Sequence, residues 1–237
     1  MITGTTVPAR ATIAPGCRQA DVELAAADDS SIEDFVALFL PVVVTFLLRP
    51  EGWHHVHAAG LRDPTGRGWV LAGNAHAGKS TTTALLATRG WAVCTDDLAF
   101  LHRGSDGRVR LAGWHGDIAL RNGGRDLLQR TDGTPLPRRG KTGWTPEALG
   151  GEWVAEITPD VVAFPTVGDG PTRVCPISSL DALKALIRWS ALVTTDPRLA
   201  ENHLALLTAL ARQAQSCTVQ LGNDLFEPTF RLEDCLP

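Results

Sequence analysis

Residues 69–91 read WVLAGNAHAGKSTTTALLATRGW, and within them Gly73 to Ser80, GNAHAGKS, fits the pattern G-x-x-x-x-G-K-[ST] at every fixed position. The apolar run Trp69 to Ala72 ahead of it predicts a short buried strand. Behind it, Ala84, Leu85 and Ala87 predict the apolar side of a helix that Gly90 ends. Strand, glycine loop and helix are the context in which this pattern cradles phosphate. Gly73 and Gly78 allow the backbone to turn and to approach oxygen atoms closely, while successive N–H groups and the helix N-terminus point at the anion. Lys79 is expected to reach the β- and γ-phosphates and the Ser80 hydroxyl to ligate Mg²⁺. Gly73, Asn74, Ala75, His76, Ala77, Gly78, Lys79, Ser80 and Thr81 are therefore the candidate nucleotide-binding residues, with ATP and Mg²⁺ as the expected cofactors.

On either side of the loop stand further chemical groups. Trp91 to Thr95 reads as a second buried strand, and it ends at Asp96 and Asp97, sixteen residues beyond Ser80. One carboxylate there suits Mg²⁺; two suggest that the other accepts the proton of an attacking hydroxyl. Upstream, Trp53 to Leu61 has strand spacing, and Asp63, Pro64, Thr65 and Gly66 form a turn cluster, which predicts a hairpin with Trp69 to Ala72. In its run HHVHAAG, alternation puts His55 and His57 on one side and Val56 on the other.

The rest of the chain is read more coarsely. Residues 1 to 50 suggest a short strand and helix added to the main sheet, with Ser31 and Asp34 resembling a capping box before the apolar run Phe35 to Leu48. Leu98 to Leu101 continues the sheet, and Gly104 to Arg108 is a hairpin turn. Gly113 to Gly151 is rich in Gly, Pro, Arg and Asp without clear periodicity, which predicts an irregular lid or substrate-facing region. Val161 to Val167 is a strand, Ser178 and Asp181 open a helix carrying Leu180, Leu183, Ile187 and Ala191, and Pro197 begins another with Leu199, His203, Leu206, Leu207 and Leu210 on one face. Cys217 to Leu221 is a last strand, and the whole, 1–237, reads as a single α/β domain.

Composition sets outer limits. With 237 residues, 44% of them apolar, the chain has material for one large core. Its 22 Lys+Arg against 26 Asp+Glu, net −4, disfavour a nucleic-acid binder that neutralises many phosphates. Phe35 to Leu48, interrupted by Pro41, falls short of the roughly 20 apolar residues that span a bilayer. The N-terminus does not read as a secretory signal, so the expectation is a cytoplasmic protein without a membrane partner. Cys17, Cys94, Cys175, Cys217 and Cys235 occur singly, which argues against a disulfide framework or a structural zinc site. There are seven Trp and no Tyr; Trp114, Trp144 and Trp153 fall in the irregular region, where a peptide or a lid would pack on them.

The order HAAG, then WVLAGNAHAGKSTTTALLATRGWAVCTDDLAFL, resembles the catalytic domain of HPr kinase/phosphorylase and its shorter relatives. The resemblance spans roughly residues 53 to 102, rests on His57, Gly73 to Ser80, Gly90 and Asp96-Asp97, and continues more weakly at DIALRN (117–122) and VAFPTV (162–167). It implies a P-loop-containing fold of the phosphoenolpyruvate-carboxykinase/HPr-kinase-like kind, a mixed sheet with flanking helices. It also implies phosphoryl transfer from ATP to a serine hydroxyl. Carried over by position, Lys79, His57, Asp96 and Asp97 are catalytic and Ser80 and Asp97 hold the metal, although spacing alone leaves the division of labour between the two aspartates open. The chain shows neither the separate N-terminal regulatory domain nor the glycine-containing signature of the bifunctional enzymes. Its size is similar to HPr-kinase-related proteins of peptide-modification systems, including lasso-peptide precursor kinases, which implies a serine-bearing peptide or small protein as partner, and the family often forms homo-oligomers. In those relatives basic residues follow the acid pair. Six lie between 121 and 141 here, and Arg121, Arg138, Arg139 and Lys141 are candidates for stabilising transferred charge or gripping the substrate. A small-metabolite kinase and a nucleotide sensor without phosphotransfer are the competing readings.

Overall fold

The computed structural model describes residues 2–3, 9–14, 16, 18–25, 32, 35–136, 140–190 and 197–236. The first strands form a unit of their own: β1 (Ile2–Thr3), β2 (Ala9–Ile13) and β3 (Ala20–Leu24) make an antiparallel meander. A π-helical turn, Phe35–Phe39, then runs into α1 (Leu40–Leu48), whose first turn accommodates Pro41 because the N–H groups there have no partner within the helix. Ala9, Ala11, Phe39 and Val43 form the small core of this unit. The apolar run 35–48 is thus buried locally rather than in the main sheet, and the capping residues Ser31 and Asp34 lie outside the described residues.

The hairpin around Asp63 forms as its turn residues predict. β4 (His54–Arg62) and β5 (Gly68–Ala72) pair antiparallel from Ala58 opposite Ala72 to Arg62 opposite Gly68. Buried Asp63 accepts hydrogen bonds from the Thr65 N–H and hydroxyl, the Arg67 N–H and guanidinium, and the Trp69 indole. Burial pushes its carboxyl up, but these donors outweigh burial and hold it below the ordinary range. After β5 comes the glycine loop and α2 (Lys79–Ala87), then β6 (Ala92–Thr95), β7 (Leu98–Arg103) and β8 (Val109–Gly113). One edge of β4 serves two neighbours, β7 along His54–His57 and β6 along Gly60–Arg62. Asp96 and Asp97, between β6 and β7, therefore occupy the gap beside Ala58 and Ala59.

The region 113–151 corrects the expectation of an irregular segment. It holds β9 (Ile118–Leu120), a short helix α3 (Asn122–Leu127), β10 (Thr134–Leu136) and β11 (Lys141–Trp144), with the strands arranged as a second small sheet in the order β10-β11-β9. Strands of three or four residues interrupted by Gly and Pro are too short to register as a period. Ile118, Leu120 and Trp144 from this flap are buried against α2 and the main sheet. Trp144 is thus core, its indole donating to Asp132, and not a free surface for a peptide.

β12 (Glu152–Trp153) adds parallel to β6, and β13 (Glu156–Ile157) adds to β8. β14 (Pro159–Val167) lies parallel to β5, β15 (Arg173–Pro176) forms the far edge, and β16 (Gln215–Leu221) stands between β14 and β15. Two helices precede β16. In α4 (Ser179–Arg188) Ser178 caps by accepting from the Asp181 N–H, as its spacing predicts; Leu180, however, is 61% exposed, and Ala182 and Leu186 carry the burial. α5 (Pro197–Gln213) buries His203, Leu206, Leu207 and Leu210, the face expected of it. The result is a mixed α/β architecture around a ten-stranded mixed sheet. One face is covered by α2, the flap and the C-terminal segment with Leu225 and Leu232; the other is covered by α4 and α5. Among the described residues, no helix is long and apolar enough to cross a membrane.

Candidate active site

Three parallel strands, β5, β14 and β16, end together, and the glycine loop lies over their carboxyl ends. That is where ligands bind in open α/β sheets, since the chain there leaves the sheet and its loops are free to form a crevice. Gly78 is held at φ +90°, and a Cβ on it would stand 2.6 Å from Leu221 Cδ1, so both backbone angle and space exclude a side chain. His76 also has positive φ, +67°, a conformation that costs energy in a non-glycine residue and curls the loop. Asn74, Ala75 and His76 are exposed at the rim, Ala77, Gly78 and Ser80 are half-buried, and Lys79 is buried. Gly73 is buried at the base, where a Cβ would stand 3.3 Å from that of Ala77.

Lys79 Nζ donates to the carbonyls of Gly73 (2.8 Å) and Asn74 (2.9 Å), which ties the first turn of α2 across the mouth of the loop. Burial lowers its pKa, the charges of Asp97 and Asp96 oppose this, and Lys141 adds to it. Lys141 thus belongs to the same electrostatic cluster. On β11, Gly143 pairs with Ala119 of β9, whose N–H donates to Asp96 Oδ2 at 3.4 Å. Arg121 is exposed where α3 begins; Arg138 and Arg139 lie outside the described residues. Thr81, half-buried, faces α3, where a Cβ on Gly124 would meet its Oγ1 at 2.7 Å.

The two aspartates have different surroundings. Asp96 is buried, and burial pushes its pKa up to about 6; the Ser80 hydroxyl opposes the rise, Asp97 adds to it, and the Ala119 N–H and Lys141 oppose it. Among the described residues its buried Oδ1 has no hydrogen-bond partner of ordinary geometry. Asp97 is largely exposed and its Oδ1 lies 2.6 Å from His57 Nε2. The hydrogen bond from His57 lowers its pKa against a smaller effect of burial, and the charges of His57, Lys79 and Lys141 lower it further. His57 is itself held by its backbone, whose N–H donates to the carbonyl of Trp189 at the end of α4. His55 shares its side of β4, packs edge-on to Phe100, and is lowered to about 4 by burial, then by His57, against Asp97.

The chain matches no family model, and no curated protein matches it.

His57, the loop from Gly73 to Thr81, Asp96, Asp97 and Lys141 are brought together, while Arg121 stands at the rim. The sequence reading missed the Ala119 N–H and the Trp189 carbonyl, which are backbone groups and carry no residue-type signal. Among the described residues no three His, Cys, Asp or Glu side chains converge as metal ligands. Magnesium rarely asks for that: one or two carboxylates, with a hydroxyl, waters and phosphate oxygens, complete its octahedron.

Proposed function

We propose that the protein is an ATP- and Mg²⁺-dependent kinase that transfers a phosphoryl group to a serine hydroxyl of a peptide or small protein. In this reading its sheet is the HPr-kinase-like variant of the P-loop fold and its acceptor is of the lasso-precursor type. The observation that carries the reading is the pairing of a glycine loop over parallel strand ends with two aspartates whose environments differ, one sealed beside Ser80 and one open and hydrogen-bonded to His57. A binding module needs only the first; phosphoryl transfer to a hydroxyl also uses the second, as acceptor of the hydroxyl proton.

The Asp96 carboxylate, with its unpartnered Oδ1, and the Ser80 hydroxyl form an oxygen donor set suited to a hard cation, which supports Asp96 with Ser80, in place of Asp97, as the residues that would hold Mg²⁺. Bound there, the ion would neutralise charge on the nucleotide's phosphates. The loop N–H groups and Lys79 hold those phosphates, since a phosphate oxygen is a stronger acceptor for an ammonium than the two carbonyls it now meets. Asp97 receives the proton of the acceptor hydroxyl as its oxygen bonds to the γ-phosphorus and the bond to the β-bridging oxygen breaks, releasing ADP. A carboxylate held ionised is a weak base, which suffices for a loose transition state in which the proton leaves late. His57 keeps that carboxylate turned toward the cleft and is a positioning residue.

The test separates the two functions. Lys79→Ala is expected to lose ATP binding by about 100-fold and with it phosphorylation, whereas Asp97→Asn is expected to bind ATP normally and lose transfer by roughly 1000-fold. Calorimetry for binding and intact-mass analysis of serine peptides for transfer measure these. Full transfer by Lys79→Ala sinks the proposal, and normal function of Asp97→Asn would turn it toward a nucleotide sensor.

A further inference from the structure

The segment Gly113–Asp117 straddles the acid pair. Its Trp114 N–H donates to the carbonyl of Leu98, the residue after Asp97, at 3.0 Å, and shortly beyond it the Ala119 N–H donates to Asp96. Gly113 lies so close to β6 that a Cβ would stand 2.3 Å from the Cys94 carbonyl oxygen, which clamps the crossing. From this anchored segment exposed His115 reaches Trp153, the two rings meeting edge to face with centroids 4.6 Å apart. Trp153 is 37% exposed, although a side chain of that size gains most from burial. Its backbone N–H donates to Oε1 of exposed Glu147 at 3.0 Å, so a carboxylate is held at the same residue.

The two places are unlike. At the glycine loop Lys79 and Lys141 stand with the acid pair; at the other an aromatic ring has an acidic neighbour. Register gives their separation. Trp153 stands opposite Val93 on β6, four residues before Asp97; the strand ends at Thr95 and the chain bends at Asp96, so the separation along it is at most about 13 Å at a strand's rise of roughly 3.3 Å per residue. An extended peptide covers that distance with at most about four residues.

On the kinase reading, we infer that Trp153, His115 and Glu147 form a specificity subsite that takes an arginine or lysine side chain of the acceptor peptide, three or four residues from the phosphorylated serine. The cation lies on the indole face and pairs with the Glu147 carboxylate, two attractions that act on the same charge. The same subsite rejects an acidic residue there.

The test uses the full chain with ATP, Mg²⁺ and a set of otherwise Gly/Ala peptides containing one serine, with Arg, Leu, Glu or Ala placed one to five residues to either side. Arg at three or four residues is expected to lower the peptide KM about tenfold relative to Ala, and Glu to raise it. Glu147→Gln keeps the acceptor oxygen for the Trp153 N–H and is expected to remove most of the preference; Trp153→Leu is expected to remove it as well, bringing the KM for the Arg peptide up to that for the Ala peptide. A peptide KM indifferent to Arg, or a preference that survives both variants, overturns this subsite and leaves the kinase reading standing. A stronger response to Leu than to Arg also overturns it, in favour of an apolar platform. Normal ATP binding with phosphorylation of none of the peptides removes the kinase reading itself, and the subsite with it.

Discussion

Asp96 shows how a single carboxyl records its function in its physical cost. An aspartate with its folded pKa raised from 3.8 to about 6 binds its proton more tightly in the native state than in the unfolded chain. Its burden on stability is absent below the unfolded value, grows between the two and is complete above about pH 6, where it amounts to about 2 to 3 kcal/mol. In metal-free buffer at pH 7.5, Asp96→Asn is therefore expected to melt several degrees above the wild-type protein, the gap closing near pH 4. Added Mg²⁺ should raise the melting temperature of the wild type and not that of the variant. A wild-type protein that melts higher than Asp96→Asn without metal would contradict this account. Residue type and spacing make the acid pair visible in the sequence, yet they are silent on which member is sealed, because that depends on β9 arriving from 23 residues away to cover Asp96.

At the scale of elements, the seam between β4 and α5 is held by two imidazoles. His54 and His203 stack with centroids 4.8 Å apart, both fully buried, and among the described residues their ring nitrogens have no hydrogen-bond partner of ordinary geometry. Burial lowers His54 to about 4, with Arg49 contributing, and lowers His203 to about 3, with His54 and then Arg49 and His55 contributing, against the backbone of His55. Both rings are neutral when folded and charged when unfolded below about pH 6.5. The stability they give is complete above that value and is lost as pH falls toward the folded values. Replacing both by Phe keeps an aromatic stack, and the acid-unfolding midpoint, followed by circular dichroism, is expected to move down by about one pH unit. An unchanged midpoint would show that other groups set acid lability. His57, which meets Asp97, lies on the same strand three residues along from His54.

For the whole molecule, burial is unevenly divided. The two faces of the ten-stranded sheet each carry a large core, whereas among the described residues the buried apolar cluster shared by the meander β1–β3 and α1 is small, Ala9, Ala11, Phe39 and Val43, with partly buried residues such as Leu24 and Phe35 around it. A cluster of that size offsets little of the entropy lost in ordering that unit. Native-state hydrogen exchange is expected to find amides of β2 opening at least about 2 kcal/mol below those of β5 and β14, without loss of the main sheet. Equal protection in both would show that the unit folds as one with the rest. Composition, which is averaged over the chain, cannot carry this division; the placement of Pro41 within an apolar run hints only that the helix starts there.

What the sequence by itself determined is whatever rests on neighbours in the chain. The hairpin at Asp63, the strand leading to Gly73–Ser80, the helix behind it and the cap at Ser178 all depend on periodicity, turn residues and glycine, and the structure has each of them. The tertiary structure alone decided that Trp144 is core and Trp153 is surface, that the 113–151 region is a flap whose Lys141 charge acts on Asp96, and that His57 meets Asp97. Each of these joins residues tens of positions apart, and a pairing at that distance is fixed by strand register and by the packing of one face against another, neither of which leaves a local mark on residue order.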